Sequence, residues 1–284
     1  MSAASRPIGV FDSGVGGLTV VRALMERLPL EDIVYFGDTA RVPYGVKSVA
    51  TIEHFTAQIT EFLLQRDVKM LIIACNTMAA VAAEVVHRLA AGIPVLDVIE
   101  AGARAAVAAS PGRRIGVIGT PTTINSNAYA RRMHELDPAV RVHSQACPLF
   151  VPLVEEGWLD HEVTRLTAQE YLRPVLAEEV DSLVLGCTHY PLVAEEIRAL
   201  VGPDVVLLDT AEAVARELER RLSQERLLRV DARDSGELAL HTSGDPLRLQ
   251  QQLRHWMADL GDAMVLESAS LDLPADRSPI TRSL

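Results

Sequence analysis

Short, continuously apolar runs alternate along this chain with stretches in which apolar residues recur every three or four positions. The first pattern suits strands buried on both faces of a parallel sheet, and the second suits helices packed on one side. Residues 7–11 form the first run, the turn DSGVGG follows at 12–17, and Leu18, Val21, Leu24, Met25 and Leu28 predict a helix that Pro29 ends. Residues 33–36 predict a second strand, leading into GDTARVPYG, whose Gly, Pro and Asp content reads as a long loop at a strand end. Ser48 can cap a helix carrying Ile52, Phe55, Ile59, Phe62 and Leu63, and residues 68–74 form the next strand. Helix 78–89, strand 93–98, an Ala-rich helix from about Ala101 and strand 114–118 continue the alternation. Further strands are predicted at 140–146, 182–185 and 205–208, with helices at about 160–177, near Pro191 and up to Leu222. After the charged connector RVDARDSGE, residues 238–242 are read as the last strand and SGDP as the cap of a last helix through Leu260.

Repeated strand-helix units imply a doubly wound α/β architecture. A second regularity divides it in two. LIIACNT at 71–77 is echoed by LVLGCTH at 183–189, and the interval from Cys75 to Cys187 equals that between the Leu-Asp pairs ending at Asp97 and Asp209. Ile8 to Val10 also recurs as IGV at 115–117. The expected fold is therefore α/β, with two similar doubly wound parallel-sheet domains related by pseudo-twofold symmetry and the active site between them. One lobe would hold 1–98 plus 210–266 and the other 99–209, while the polar stretch 267–284 is expected to be a mobile tail.

A length of 284 residues is enough for two cores. Asp plus Glu number 38 against 27 for Lys plus Arg, and no run of five like charges occurs, which argues against a nucleic-acid footprint. The opening MSAASRP has no apolar signal-peptide core, and no uninterrupted apolar stretch approaches membrane-spanning length, so a cytoplasmic protein without membrane contact is expected. Cys75, Cys147 and Cys187 make an odd count without a C-x-x-C pair, which fits free thiols better than disulfides or structural zinc.

In open α/β sheets the functional crevice lies beyond the carboxyl ends of the strands, where Cys75 and Cys187 both fall. A thiol just ahead of a helix is expected to have its pKa lowered by the helix dipole and free backbone N–H groups. A single cysteine is often just a small buried residue, but a matched pair, each followed by polar side chains, points to chemistry. Cys147 has no repeat partner and reads as structural. Two equivalent thiols facing one another suit inversion at a carbon, one removing a proton from one face while the other delivers a proton to the opposite face. DSGVGG fails as a dinucleotide fingerprint because Thr19 stands where the third glycine belongs. Its glycines would instead let backbone N–H groups approach a small anion such as a carboxylate, with Asp12 and Ser13 reaching into the crevice. The two lysines, Lys47 and Lys69, lack a Schiff-base context and no His/carboxylate cluster is evident, so no cofactor and no metal are expected.

DSGVGGLTV, GDTARVPYG, the ACNT and GCTHYPL pair, CPLFVPLVEEG and TSGDP resemble the cofactor-independent glutamate racemases, from about Pro7 to Gly261. CNT and GCT alone recur in aspartate racemases and related two-cysteine enzymes, whereas the DSGVGG opening and the full GCTHYPL favour glutamate. The resemblance implies interconversion of L- and D-glutamate by a cytoplasmic homodimer, for peptidoglycan synthesis and hence cell-wall biogenesis and cell shape. It implies that Cys75 is the acid/base for D-glutamate and Cys187 for L-glutamate, with Asp12 beside the first and His189 and Glu155 beside the second. Ser13, Tyr44, Gly45, Asn76, Thr77 and Thr188 match substrate-binding positions, Thr120 and Thr123 of GTPTT join them, and Asp12 and His189 are implied to touch substrate as well. Two alternatives are another two-thiol enzyme, such as an aspartate racemase, and a two-lobe binding module without chemistry, for which paired thiols would have no use.

Overall fold

The structure, a computed structural model, describes residues 3–230, 234–247, 249–251 and 264–269. Among the described residues, ten strands form two wholly parallel sheets. The first contains β1 (Ile8–Asp12), β2 (Ile33–Gly37), β3 (Met70–Ile73), β4 (Val95–Asp97), β9 (Leu238–Thr242) and β10 (Met264–Ser268), in the order β10-β9-β2-β1-β3-β4. The second contains β5 (Arg114–Gly119), β6 (Arg141–Ala146), β7 (Ser182–Gly186) and β8 (Val206–Asp209), in the order β6-β5-β7-β8. Four strands of the first sheet, β2-β1-β3-β4, thus repeat the order of the second. Ile8 and Ile115 open equivalent central strands, and Cys75 and Cys187 follow the equivalent strands β3 and β7.

Burial explains which runs read as strands. β1, β3 and β7 are buried at every residue, whereas the edge strands β6 and β8 are partly exposed throughout. The helices are α1 (Leu18–Arg27), α2 (Val49–Leu64), α3 (Asn76–Ala90), α4 (Val98–Ala109), α5 (Pro121–Asn125), α6 (Ala128–Leu136), α7 (Phe150–Glu155), α8 (Glu162–Leu176), α9 (Ala194–Val201) and α10 (Thr210–Gln224). Ser48 caps α2 by accepting the Thr51 N–H at 3.2 Å, as its position before the apolar pattern suggests. The paired Leu-Asp signature also acquires a physical reason. Asp97 Oδ1 accepts the N–H groups of Ile99 and Glu100 at 2.8 Å and so starts α4 at Val98, ahead of the expected Ala101; Asp209 Oδ1 accepts Ala211 N–H at 2.8 Å to start α10.

Three helices, α5, α6 and α7, occupy segments to which the apolar pattern assigns no element. They are too short to establish a period: α6, for instance, buries only Tyr129 and Met133. At the other end, β10 extends the first sheet by pairing in parallel with β9, so 238–242 is not the last strand and residues 267 and 268, expected in the tail, belong to the sheet. Most of the helix expected through Leu260, and nearly all of the tail, lie outside the described residues.

A buried ionic knot holds the amino-terminal ends of the first sheet's strands. Lys69 Nζ donates to Glu31 at 2.5 Å and to the carbonyls of Ala4 and Leu227 at 2.7 and 2.9 Å. Glu31 also accepts the Arg229 N–H at 2.9 Å, and the Arg229 guanidinium lies 2.9 Å from Asp32. Lys69 precedes β3 and Cys75 follows it, so this lysine sits at the opposite end of the strand from the thiol.

Candidate active site

A cavity of about 300 Å³, at the low end of small-ligand sites, opens at the carboxyl ends of the central strands of both sheets. Cys75 and Cys187 both line it. Cys75 occupies the N-cap position of α3 in extended conformation, and Cys187 lies between β7 and the 3₁₀ turn Tyr190–Val193, whose first N–H returns to the Cys187 carbonyl at 3.1 Å. Parallel pairing of β1 with β3 and of β5 with β7 brings Ser13 beside the first thiol and Thr120 to the equivalent place in the second sheet.

The surroundings of the two thiols differ. Cys75 Sγ is 3.5 Å from Ser13 Oγ and electrostatically coupled to Asp12. Asp12 is fully buried; it accepts the Gly14 N–H at 3.0 Å and faces the Thr188 hydroxyl at 3.5 Å. Burial raises the Asp12 pKa, with His189 and the Gly14 N–H opposing. Burial, followed by the Asp12 charge, pushes the Cys75 thiol up to about 12, while Ser13 and the Met78 N–H pull the other way. The lowered thiol pKa expected from the helix terminus is therefore not found at Cys75, because desolvation and a neighbouring carboxylate outweigh the helix dipole. Cys187 Sγ lies 3.9 Å from His189 Nδ1, and His189 Nε2 is 3.4 Å from Glu155 Oε1 on α7. Burial alone would lower the His189 pKa, but hydrogen bonding to Cys187 and Glu155, reinforced by the charges of Cys187 and Asp12, lifts it to about 10.

Tyr44, Gly45, Asn76, Thr77, Thr188, His189 and Glu155 also reach the cavity, whereas Asp12 and Thr123 stand behind its wall. Thr123 is one corner of a hydroxyl cluster in which Thr77 and Thr123 each lie 3.0 Å from Thr120. Gly45 abuts Thr120 so closely that an added Cβ would come within 2.9 Å of it, and the Gly45 carbonyl accepts the Thr122 hydroxyl at 2.8 Å. The DSGVGG turn also has a packing role that the sequence does not announce. A Cβ on Gly16 would fall 2.3 Å from Thr188 Oγ1 and 2.6 Å from His189 Nδ1, so this glycine permits close approach of the Cys187 segment.

The apolar part of the wall is absent from the sequence reading. Val42, Pro43, Val46, Pro121, Pro148, Val151 and Pro152 supply it. All but Pro121 fall within the motifs GDTARVPYG-V and CPLFVPLVEEG or beside them, and their apolar side chains carry no chemistry that marks them as cavity residues. Asp38, fully buried after β2, has a role that its place in a loop motif does not announce. It accepts from Tyr44, from Arg41 at 2.7 Å and from Ser243 at 2.5 Å, tying the cavity loop to the TSGDP segment. Cys147 is fully buried and lies outside the cavity lining, its Sγ 3.7 Å from the Gln145 carbonyl. Among the described residues no group of three or more His, Cys, Asp or Glu side chains is placed to hold a metal, and no helix is long and apolar enough to cross a membrane.

Two parallel sheets whose equivalent strands deliver two thiols to one cleft define a class, and residues 17–218 match the Asp/Glu/Hydantoin racemase family. The chain belongs to that family of isomerases, and within it to the glutamate racemases. It is 64% identical over 245 residues to the glutamate racemase of Syntrophus aciditrophicus, covering 86% of this chain and 90% of that one. The crystal structure of glutamate racemase from Francisella tularensis subsp. tularensis SCHU S4 in complex with D-glutamate superposes with a TM-score of 0.87 at 43% identity, over 95% of this chain and 99% of that one. The Thermus thermophilus glutamate racemase in complex with Beta-chloro-D-alanine gives 0.82 at 42% identity, over 94% and 98%.

Proposed function

We propose that this enzyme interconverts L- and D-glutamate by moving a proton on and off the α-carbon with two thiols, one on each face, and so supplies D-glutamate for peptidoglycan synthesis in the cytoplasm. The observation that carries the mechanism is the arrival of Cys75 and Cys187 at one cavity from equivalent strands of two separate sheets. The thiols belong to lobes taken as 1–98 plus 210–266 and 99–209, acting within a homodimer. One sulfur acts as thiolate base while the other donates its proton, and the roles exchange for the mirror-image substrate. Asp12 serves the Cys75 side and His189, braced by Glu155, the Cys187 side. Ser13, Tyr44, Gly45, Asn76, Thr77, Thr120 and Thr188 offer donors and acceptors to the ammonium and carboxylate groups, with Thr123 supporting Thr77 and Thr120 from behind. The cofactor-free character of the reaction is tested directly by incubating dialysed protein with L-glutamate and following loss of the circular dichroism signal. An absent signal change, or one that appears only when a cofactor is added, defeats the proposal.

The facial assignment gives a sharper expectation. With a β-leaving group on the substrate analogue, a single proton abstraction suffices for elimination and no reprotonation is needed. Serine is a far weaker base than thiolate, so Cys187→Ser should still eliminate from the D analogue through Cys75, and Cys75→Ser from the L analogue through Cys187. That the similar Thermus thermophilus enzyme is found in complex with Beta-chloro-D-alanine supports the choice of probe. Reversed preferences would exchange the two roles.

His189 sets the alkaline limit. Its pKa is raised from 6.5 to about 10, so the contacts made by its imidazolium are fully present below the ordinary value and are lost as pH rises through about 10. The pH profile of kcat/KM should fall through that region, and His189→Gln should abolish the limb. An unchanged limb in the variant would assign it to another group.

A further inference from the structure

Half of the Asn76 carboxamide is occupied and half is not. Its Oδ1 accepts a 2.6 Å hydrogen bond from the Tyr129 hydroxyl, whereas its buried Nδ2 meets no acceptor among the described residues. Asn76 lines the cavity and is only 2% exposed. A buried N–H without an acceptor carries a standing desolvation penalty, which an incoming acceptor relieves. The carboxylates of glutamate are such acceptors.

Tyr129 reaches Asn76 from the other sheet's side of the molecule. It lies on α6, which connects β5 to β6, while Asn76 opens α3 after β3. The phenol ring is buried, and two glycines make its seat. A Cβ on Gly186 would stand 3.2 Å from the ring atom Cε2, and a Cβ on Gly102 would stand 3.3 Å from the hydroxyl oxygen. Gly186 immediately precedes Cys187 and Asn76 immediately follows Cys75, so Tyr129 touches the flank of each thiol. Burial, reinforced by nearby Asp97, Cys187 and Asp209, keeps the phenol pKa well above its ordinary value. The hydroxyl therefore holds its proton, and it donates that proton to Asn76, whose oxygen is turned toward it.

We propose that Tyr129 is a positioning residue: by occupying Oδ1 of Asn76 from across the molecule, it fixes the carboxamide with Nδ2 toward the cavity, where it binds a carboxylate oxygen of the substrate. Released from Tyr129, the nearly isosteric amide can rotate half a turn and present Oδ1 to the same carboxylate, exchanging attraction for repulsion. The inference rests on the glutamate reading given above.

Racemisation kinetics of L-glutamate in the unsubstituted enzyme, Tyr129→Phe, Asn76→Ala, the double variant and Asn76→Asp test it. Tyr129→Phe is expected to raise KM roughly tenfold, the scale of one hydrogen bond to a charged group. Its kcat should stay within about twofold, because a carboxylate contact is made equally in ground and transition states. In the Asn76→Ala background the same substitution should leave KM unchanged. A KM in Tyr129→Phe within about twofold of the unsubstituted enzyme, or an equal rise in both backgrounds, would overturn the proposal. Asn76→Asp keeps an acceptor for Tyr129 and puts a second carboxylate oxygen where the donor stood, so its KM should exceed that of Asn76→Ala. The opposite ranking overturns the proposal even if Tyr129→Phe fails to fold. Failure of the unsubstituted enzyme to racemise glutamate would remove the underlying reading, and this inference with it, before any variant is compared.

Discussion

Cys75→Ala and Cys187→Ala are each expected to lower glutamate racemisation by about 10²–10⁴-fold, the range for loss of a positioned acid or base. Inversion needs a proton removed on one face and supplied on the other, so neither thiol can cover for its partner within one turnover. Each sulfur lines the cavity, so truncation widens a space already open instead of creating a new void, and both variants should unfold near the temperature of the unsubstituted enzyme. Cys147→Ala is the matched control. That sulfur is fully buried within the core of the second sheet and off the cavity, so its loss should lower stability by about 1 kcal/mol and leave turnover intact. Racemisation by either catalytic-thiol variant at more than about a tenth of the normal rate would defeat the two-thiol mechanism.

Lys69→Met is expected to destabilise the fold by about 3–5 kcal/mol without changing the activity of the molecules that remain folded. The side chains of Lys69 and Glu31 are each 1% exposed, so removing the ammonium leaves a carboxylate buried without its cation and two carbonyls, of Ala4 and Leu227, without their donor. The Lys69 pKa is lowered because burial outweighs the help given by Glu31, the sign expected when an ion pair costs nearly as much to bury as its attraction returns. Lys69→Met combined with Glu31→Gln should therefore recover much of the loss, since glutamine can still accept the Arg229 N–H. Denaturant unfolding of the two single variants and the double variant measures the coupling. A loss below about 1 kcal/mol for Lys69→Met would show that the knot does not hold the strand ends together.

How much of this was legible beforehand depended on the range of each interaction. Central strands such as β3 and β7 are buried on both faces, so their residues had to be continuously apolar and stood out in the sequence, as did the thiols that end them. The interval shared by the cysteines and the two aspartates was equally plain, and its cause is local: Asp97 and Asp209 bond N–H groups two or three residues ahead. Ser48 as a helix cap and Pro29 as a helix end are local in the same way. Features made by residues far apart in the chain left no comparable trace. α6 shows too few apolar positions to declare itself, yet it delivers Tyr129 to Asn76. Gly16 reads as part of a turn whose backbone approaches an anion, and only the folded chain sets Thr188 and His189 against it. The helix that follows Cys75 suggests an acidified thiol; burial beside Asp12 has the opposite effect and prevails, because desolvation acts on the whole charge while the helix terminus offers a partial one. The sequence by itself determined the strands β1 to β9, the repeat and the two thiols proposed to react, each encoded within a short stretch of chain. The apolar wall, the asymmetry between the two thiols and the orientation of Asn76 were decided only when the two sheets came together, because each depends on which side chains exclude water from which.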